Sequence, residues 1–95
     1  MLPSESSLQD KVAIVTGGSS GIGAATVRAM AQTGVRVAIG YNNGRDRAEK
    51  LIGELPGAGH RAIQMRLEDS ATIRAAAAEV QQAFGRADIL VNSAG

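Results

Sequence analysis

The chain alternates short β-branched runs with longer stretches of helical periodicity, and this alternation constrains its fold more than any other feature. Four runs have the length and composition of buried strands: KVAIVTG (11–17), VRVAIGY (35–41), RAIQM (61–65) and the start of ADILVNSAG (87–95). Helical spacing of apolar residues occupies three segments between them, at about 21–33, 45–55 and 70–84. Strands that alternate with helices of this length form parallel sheets, so the order βαβαβαβ predicts an α/β fold.

The connections narrow the topology further. Right-handed crossovers between parallel strands leave few arrangements, and the natural one is a doubly wound parallel sheet of Rossmann type with strand order 3-2-1-4. Only the first half of such a sheet fits in 95 residues, which are enough for one small domain. We therefore predict a loose lead-in over 1–10 and a truncated Rossmann segment over 11–95.

Apolar stripes predict which helix faces cover the sheet. The stripes are Ile22, Ala25, Ala29 and Met30 in the first helix, Ala48, Leu51, Ile52 and Leu55 in the second, and Ile73, Ala76, Ala77, Val80 and Phe84 in the third. Gly34 and Gly85 are predicted to end the first and third helices in the left-handed conformation, and PGAG (56–59) to end the second. Asp69 is predicted to cap the start of the third helix.

The turn TGGSSGIG (16–23) joins the first strand to the first helix and carries the strongest functional signal. Gly17, Gly21 and Gly23 give the spacing G-x-x-x-G-x-G, and a glycine turn into a helix presents backbone N–H groups to an anion such as a phosphate. Ser19 and Ser20 add hydroxyl donors. No Lys follows Gly23, so the turn is not a P-loop. The alternative is a strand–helix turn that binds nothing.

Composition excludes several classes of partner. The net charge is +1, and the aromatic residues are one Tyr and one Phe, so nothing indicates nucleic acid or an anionic membrane surface. The absence of Cys excludes thiolate chemistry, and the opening MLPSESSLQD is not a signal peptide, so we expect a cytoplasmic protein. Glu68 and Asp69 lack a third metal ligand nearby in sequence, and His60 is expected to be an exposed bystander. No metal site is predicted.

Two motifs together resemble the N-terminal part of the short-chain dehydrogenases/reductases. They are LQDKVAIVTGGSSGIG (8–23) and GRADILVNSAG (85–95), and the similarity runs through residues 8–95. Within the family, the chain is most similar to 3-oxoacyl-acyl-carrier-protein reductases. The resemblance implies that a dinucleotide pyrophosphate and its riboses lie along Gly17, Ser19, Ser20, Gly21, Ile22 and Gly23. It also implies that Asn92, Ala94 and Gly95 stabilise the central strand and form the floor of the cofactor site.

Two positions depart from the family pattern. Ser93 replaces the second Asn of the usual N-N-A-G strand end, and Arg66 stands where many members carry an Asp that contacts the adenine. Leu67 and Glu68 would then have to make the adenine contact. The proton-transfer set of the family is not found either, because the only tyrosine, Tyr41, is followed four residues later by Arg45 and not by Lys.

The end of the second strand favours NADP(H) over NAD(H). An NAD-dependent enzyme places a carboxylate there for the ribose 2′-hydroxyl. Here Tyr41, Asn42 and Asn43 are followed by Arg45 and Arg47, and no carboxylate occurs between Asp10 and Asp46. The alternative for both arginines is an exposed first helical turn that pairs with Glu49 or with nothing. Ser20 instead favours NAD(H), since many NADP-preferring members carry a basic residue at that position.

The prediction is therefore the cofactor-binding N-terminal portion of an NADP(H)-dependent short-chain oxidoreductase. The complete enzyme would transfer hydride between nicotinamide and a carbonyl or alcohol substrate, as a homotetramer, with its catalytic residues outside these 95. An apolar fourth strand left at a sheet edge is prone to aggregation, so we expect a longer protein. The alternatives are a freestanding, non-catalytic dinucleotide-binding half-domain and a structural remnant with an empty turn.

Overall fold

The computed structural model describes residues 9–18, 21–66 and 68–93. Its strands are β1 (Val12–Thr16), β2 (Arg36–Tyr41), β3 (Arg61–Gln64) and β4 (Ile89–Asn92), and its helices are α1 (Gly21–Gln32), α2 (Arg45–Glu54) and α3 (Ser70–Phe84). Every predicted element is present, within about two residues of its predicted bounds at each end. Most of the predicted lead-in, residues 1–8, lies outside the described residues.

The four strands form one parallel sheet in the order β3-β2-β1-β4, which confirms the predicted topology. β1 is central, and its last residue, Thr16, lies opposite Gly40 of β2 and Asn92 of β4. Because the strands are parallel, the segments that follow these three residues leave the sheet at the same edge. That edge is called the carboxyl edge below.

Helices cover both faces of the sheet. On one face, Ala13, Val15, Val37 and Ile39 pack with the apolar residues of α1 and α2. The other face is covered by α3, whose buried residues pack with Ala38 and Ile63 of the sheet. The central strands are mostly buried because they lie between two helical layers, as their β-branched composition predicts; Ile14 and the two end residues of β2 are half-buried.

The predicted inner face of α1 is wrong at three of its four residues, and only Met30 packs against the core. Its buried residues are Gly23, Ala24, Val27 and Ala31, whereas Ile22 is 81% exposed and Ala25 and Ala29 face solvent. The cause is the close contact between Gly23 and the turn that follows β1. This contact sets the rotation of the helix, and the apolar spacing alone does not distinguish between the two adjacent faces.

The predicted inner faces of α2 and α3 fit the structure better. Ala48, Leu51 and Leu55 are buried against the sheet, and so are Ala76 and Val80. Ile73 is 40% exposed, however, and lines an open apolar groove with Leu90 of β4, which is 70% exposed. This groove lies along the edge strand, where the sequence predicts an exposed apolar edge.

The helix ends follow the predictions. Gly34 and Gly85 have φ angles of 91° and 76°, the left-handed conformation that glycine adopts without a steric penalty. Asp69 caps α3, since its Oδ1 accepts a hydrogen bond from the N–H of Ala71 at 3.0 Å. Within the described ranges, no helix combines the length and the apolar character needed to cross a bilayer.

Candidate functional site

The glycine turn lies at the carboxyl edge, between the ends of β2 and β4. The N–H of Gly18 donates to the carbonyl of Gly40 at 3.2 Å, and the N–H of Ser93 donates to the carbonyl of Thr16 at 3.3 Å. The turn is thereby tied to both neighbouring strands. The predicted site residues from the first, second and fourth strands are brought to one edge by this register.

The contact of Gly23 with the turn requires a residue without a side chain. A Cβ at position 23 would collide with the carbonyl oxygen of Gly17 and would lie 2.7 Å from Oγ of Ser93. Gly21 favours glycine for a different reason, because its φ of 59° lies in the left-handed region. The contact at Gly23 brings α1 against the turn, and the open space at Gly21 leaves the backbone accessible.

The start of α1 is electrostatically suited to an anion. Unpaired N–H groups and the helix dipole give a helix N-terminus a partial positive charge. No acidic residue lies in the first turn of α1 to neutralise it. Ile22 projects outward beside it, 81% exposed. Ser19 and Ser20, which were predicted to add hydroxyl donors here, lie outside the described residues.

A side-chain network joins the ends of β1 and β4. Oγ1 of Thr16 lies 3.0 Å from Oδ1 of Asn92 and 3.3 Å from the carbonyl of Val91. Oγ of Ser93 donates to the carbonyl of Thr16 at 2.5 Å. Ser93, which replaces the second Asn of the family motif, thus holds the two strands together. No sequence signal indicated this role. Ala94 and Gly95 lie outside the described residues.

The end of β2 presents polar groups without a carboxylate. Tyr41 is half-buried, whereas Asn42 and Asn43 are exposed. Arg45 is directed toward Glu49, with 3.7 Å between its Nε and a carboxylate oxygen, and its side chain is 73% exposed. The pairing with Glu49 that the sequence left open is therefore present for Arg45.

Arg47 lies differently from Arg45. A Cβ built on Gly44 would stand 2.7 Å from Nη2 of Arg47, so the guanidinium lies directly against the backbone of the turn between β2 and α2. Gly44 is buried beneath it. The guanidinium also borders a groove between α1 and α2, which Ala24 of α1 lines from the other side.

The loop after β3 is held by α3. Oγ1 of Thr72 accepts from the N–H of Arg66 at 3.1 Å and lies 2.9 Å from the carbonyl of Asp69. Arg66 and Glu68 are both exposed, and Leu67 lies outside the described residues. The sequence indicated the Asp69 cap but gave no signal for the role of Thr72.

His60 is not the exposed bystander that the sequence predicts. Its Nδ1 accepts a hydrogen bond from the N–H of Val37 at 3.1 Å, and its Nε2 lies 2.8 Å from the carbonyl of Pro56. This geometry requires the neutral ring with its proton on Nε2. Since Val37 is near the start of β2, His60 lies at the edge opposite the glycine turn and has a structural role there.

Metal-ligand groups are not assembled in the described part of the chain, where no cluster of three or more His, Asp or Glu side chains is found. Tyr41 remains the only tyrosine, with Arg45 four residues beyond it. The described residues of the carboxyl edge therefore include no Tyr–Lys pair for proton transfer.

Comparison with known proteins gives a consistent result. Residues 11–95 match the family model described as short chain dehydrogenase. The chain is 48% identical over 90 residues to D-threitol dehydrogenase of Mycolicibacterium smegmatis, covering 93% of this chain and 34% of that protein. It is 38% identical over 87 residues to a 3-oxoacyl-acyl-carrier-protein reductase of Staphylococcus aureus, covering 90% of this chain and 35% of the relative.

Solved structures that resemble this chain belong to the same family. A short chain dehydrogenase from Bacillus anthracis superposes with a TM-score of 0.86 at 32% identity, over 93% of this chain and 36% of that one. A dehydrogenase/reductase from Sinorhizobium meliloti gives a TM-score of 0.84 at 43% identity, over 96% of this chain and 38% of that one. The chain spans about a third of the length of the curated relatives it matches.

Proposed function

Because the chain belongs to the short-chain dehydrogenase family, we propose that it is the cofactor-binding portion of an NADP(H)-dependent oxidoreductase. The family implies a nicotinamide dinucleotide cofactor and a small-molecule substrate. The complete protein would transfer hydride between the nicotinamide and a carbonyl or alcohol carbon. A cytoplasmic homotetramer is part of the same proposal.

The glycine turn at the carboxyl edge is the observation that carries the proposal. The absence of a side chain at Gly23 lets α1 lie against the turn, and the open space at Gly21 leaves the backbone accessible to a ligand. A pyrophosphate would accept hydrogen bonds from the backbone there, and Gly17 and Ile22 would border it. Ser19 and Ser20 are proposed to donate their hydroxyls to the same phosphates.

Other residues would position the two ends of the cofactor. Asn92, with Ala94 and Gly95, is proposed to form the floor of the site, because Asn92 ends β4 directly beside Thr16. At the adenosine end, Leu67 and Glu68 are proposed to contact the adenine, and Tyr41 to border its ribose. The hydrogen bond between Thr16 and Asn92 supports this arrangement by fixing the separation of the strands.

The preference for NADP(H) over NAD(H) rests on the end of β2. Asn42, Asn43 and Arg45 are exposed there and offer donors to a 2′-phosphate. A carboxylate that would repel the phosphate is absent from residues 11–45. When bound, the cofactor supplies or accepts the hydride, while these residues bind and orient it. The proton transfer is proposed to use residues outside this chain segment.

Nucleotide binding tests the proposal. The protein should bind NADPH saturably, with a gain in nicotinamide fluorescence, and Gly23→Ala should abolish the binding. Gly53→Ala is the matched control, because a Cβ at position 53 meets nothing within 4 Å. Binding that Gly23→Ala leaves intact would contradict the site. Turnover is tested in a longer protein that contains this chain: binding there without turnover of any carbonyl substrate would favour the non-catalytic half-domain. The absence of binding would favour the structural remnant.

A further inference from the structure

Asn43 and Gly44 form an Asn-Gly pair in the connection between β2 and α2. We propose that Asn43 is a site of spontaneous deamidation, and that its conversion to a carboxylate weakens the binding of NADP(H) as the protein ages. The first part depends only on the chemistry of this pair. The second part rests on the proposed NADP(H) function, and measurements of mass and of affinity separate the two.

The reaction is an attack by a backbone nitrogen on a side-chain amide, and asparagine is a thermolabile residue because of it. The deprotonated nitrogen of Gly44 bonds to Cγ of Asn43, and the Cγ–Nδ2 bond breaks, so that ammonia leaves and a succinimide ring remains. Water then adds to one of the two ring carbonyls and opens the ring. The product is aspartate or isoaspartate, according to which C–N bond breaks, and no atom is oxidised or reduced.

The side chain of Asn43 is available for this reaction. It is exposed, and among the described residues its amide forms no hydrogen bond. It does not cap α2 either, because the N-cap position is occupied by Gly44. The hydrogen bonds of the connection are formed on either side of Asn43: the carbonyl of Asn42 accepts from Nε2 of Gln64 at 3.3 Å, and the carbonyl of Gly44 accepts from the N–H of Ala48 at 2.9 Å.

The nitrogen of Gly44 is a suitable nucleophile. Its N–H donates to no acceptor in the described part of the chain, so no hydrogen bond has to break, and no side chain obstructs the approach of Cγ. The guanidinium of Arg47 lies beside Gly44, with Nη2 2.7 Å from the position of a Cβ. A positive charge there favours loss of the amide proton. The other charged residues that directly follow are Arg45 and Asp46, one of each sign and both exposed.

The two other asparagines of the sequence each lack part of this arrangement. Asn42 is followed by Asn43, whose side chain obstructs an attack by the next nitrogen. Asn92 is followed by Ser93, and its Oδ1 accepts a hydrogen bond from Oγ1 of Thr16 at 3.0 Å. We therefore expect Asn43 to convert faster than either of them.

Deamidation changes the charge at the end of β2. The formal net charge of the chain falls by one, from +1 to 0. The new carboxylate lies two residues beyond Tyr41, the last residue of β2. As an amide, Asn43 is proposed to donate to the adenosine 2′-phosphate, whereas a carboxylate only accepts and repels the phosphate. Isoaspartate also adds a methylene group to the backbone between β2 and α2.

Peptide mass mapping of the purified protein tests the modification without a cofactor. After incubation at mildly alkaline pH, the tryptic peptide 37–45 should gain the mass difference between OH and NH₂. Fragmentation of this peptide assigns the gain to Asn42 or to Asn43, and a second chromatographic peak should contain isoaspartate. Conversion should be slower at mildly acidic pH, because less of the Gly44 nitrogen is deprotonated.

Two variants block the reaction in different ways. Gly44→Ala places a methyl group beside the attacking nitrogen and should slow conversion by about tenfold or more. The φ of −99° at this residue accommodates alanine, and the nearest atoms belong to the flexible side chain of Arg47. Asn43→Gln keeps the amide but lengthens the side chain, so the succinimide cannot form. Gly53→Ala, in open space on α2, is the matched control and should convert as the wild type does.

Fluorescence titration with NADPH tests the effect on the cofactor. Converted protein should bind NADPH about fivefold or more weakly than fresh protein, and Asn43→Asp should reproduce this loss. Binding of NADH should change by less than about twofold, since its adenosine has no 2′-phosphate. Asn43→Gln and Gly44→Ala should keep their own initial affinity for NADPH throughout the incubation.

The outcomes distinguish the two parts from each other and from the proposed function. If Asn43 gains no mass, or if Asn42 or Asn92 converts as fast, the modification site is wrong. If Asn43 converts while the affinity for NADPH is unchanged, the effect on the cofactor is wrong and the site stands. If fresh protein binds no NADPH or prefers NADH, the proposed function fails and the effect on the cofactor fails with it, whereas the mass measurement still decides the site.

Discussion

Val12 and Asp88 exchange two hydrogen bonds at the start of the central strand. The N–H of Val12 donates to Oδ2 of Asp88 at 2.9 Å, and the N–H of Asp88 donates to the carbonyl of Val12 at 2.8 Å. Nη2 of Arg86 lies 2.7 Å from the other carboxylate oxygen. This clamp joins β1 to the segment that leads into β4, at the edge opposite the glycine turn.

The clamp predicts a pH dependence of stability. The hydrogen bond from Arg86, followed by that from Val12, lowers the pKa of Asp88 below its ordinary value. A carboxyl group whose pKa is lower in the folded state stabilises the fold above its unfolded pKa, and the contribution is lost as the pH falls through the folded pKa. Urea unfolding at pH 7 and at pH 3 should therefore show a smaller loss of stability for Asp88→Asn than for the wild type.

Arg86→Ala is the companion variant for the clamp, because it removes the largest cause of the lowered pKa and leaves the bond from Val12 in place. Its pH dependence should fall between those of the wild type and Asp88→Asn. Identical pH profiles for all three proteins would show that the clamp has no electrostatic role.

Gly23→Ala should destabilise the fold as well as impair nucleotide binding. The added methyl group meets the backbone carbonyl of Gly17, which cannot move aside as a flexible side chain can. The free energy of unfolding should fall by about 1–3 kcal/mol, as is usual for overpacking. Gly53→Ala, in open space on α2, should instead raise it by about 0.5–1 kcal/mol through helix propensity. Chemical denaturation of both variants measures the contrast, and a stable Gly23→Ala would refute the close contact.

His60→Ala should release the N–H of Val37. Loss of the imidazole removes the acceptor 3.1 Å from this amide and the contact with Pro56. We expect a loss of about 1–2 kcal/mol and faster hydrogen exchange at Val37. Exchange measured by NMR locates the effect. Unchanged protection of the Val37 amide would mean that the ring does not hold it.

Ile22→Ser and Val27→Ala together test which face of α1 is buried. Ile22 is 81% exposed and Val27 is fully buried, although both are apolar and lie on the same helix. The unfolding free energy should change by less than about 0.5 kcal/mol for Ile22→Ser and fall by about 2 kcal/mol for Val27→Ala. If Ile22→Ser were the more destabilising of the two variants, the buried face of α1 would be the one that the apolar spacing predicts.

The residues that could be predicted from the sequence are those whose environment is set by neighbours in the chain. The strand order followed from the alternation of elements, and Asp69 and Gly85 were identifiable because caps depend on local backbone geometry. Ile22 was misjudged because two adjacent stripes on α1 are both apolar. Only the contact between Gly23 and Gly17, which depends on how the turn folds, decides between them.

Contacts between distant segments could not be predicted in this way. His60 meets Val37 across the β2–β3 connection, and Ser93 meets Thr16 through the pairing of β1 with β4. Arg45 and Arg47 are two residues apart on α2, and the charge pattern of the sequence does not indicate which contacts each of them makes. In the structure, the guanidinium of Arg47 lies against Gly44, whereas that of Arg45 is directed toward Glu49.

The register of β1 has a consequence for the order in which the fold can assemble during synthesis. β1 pairs Val12 with Arg36 on one side but Ala13 with Ile89 on the other. The second loop is roughly three times as long, which adds about 1 kcal/mol of closure entropy. A nascent chain can therefore join β1, β2 and β3 while β4 is still inside the ribosome. We therefore expect the hydrogen bonds between β1 and β4 to form after those between β1 and β2.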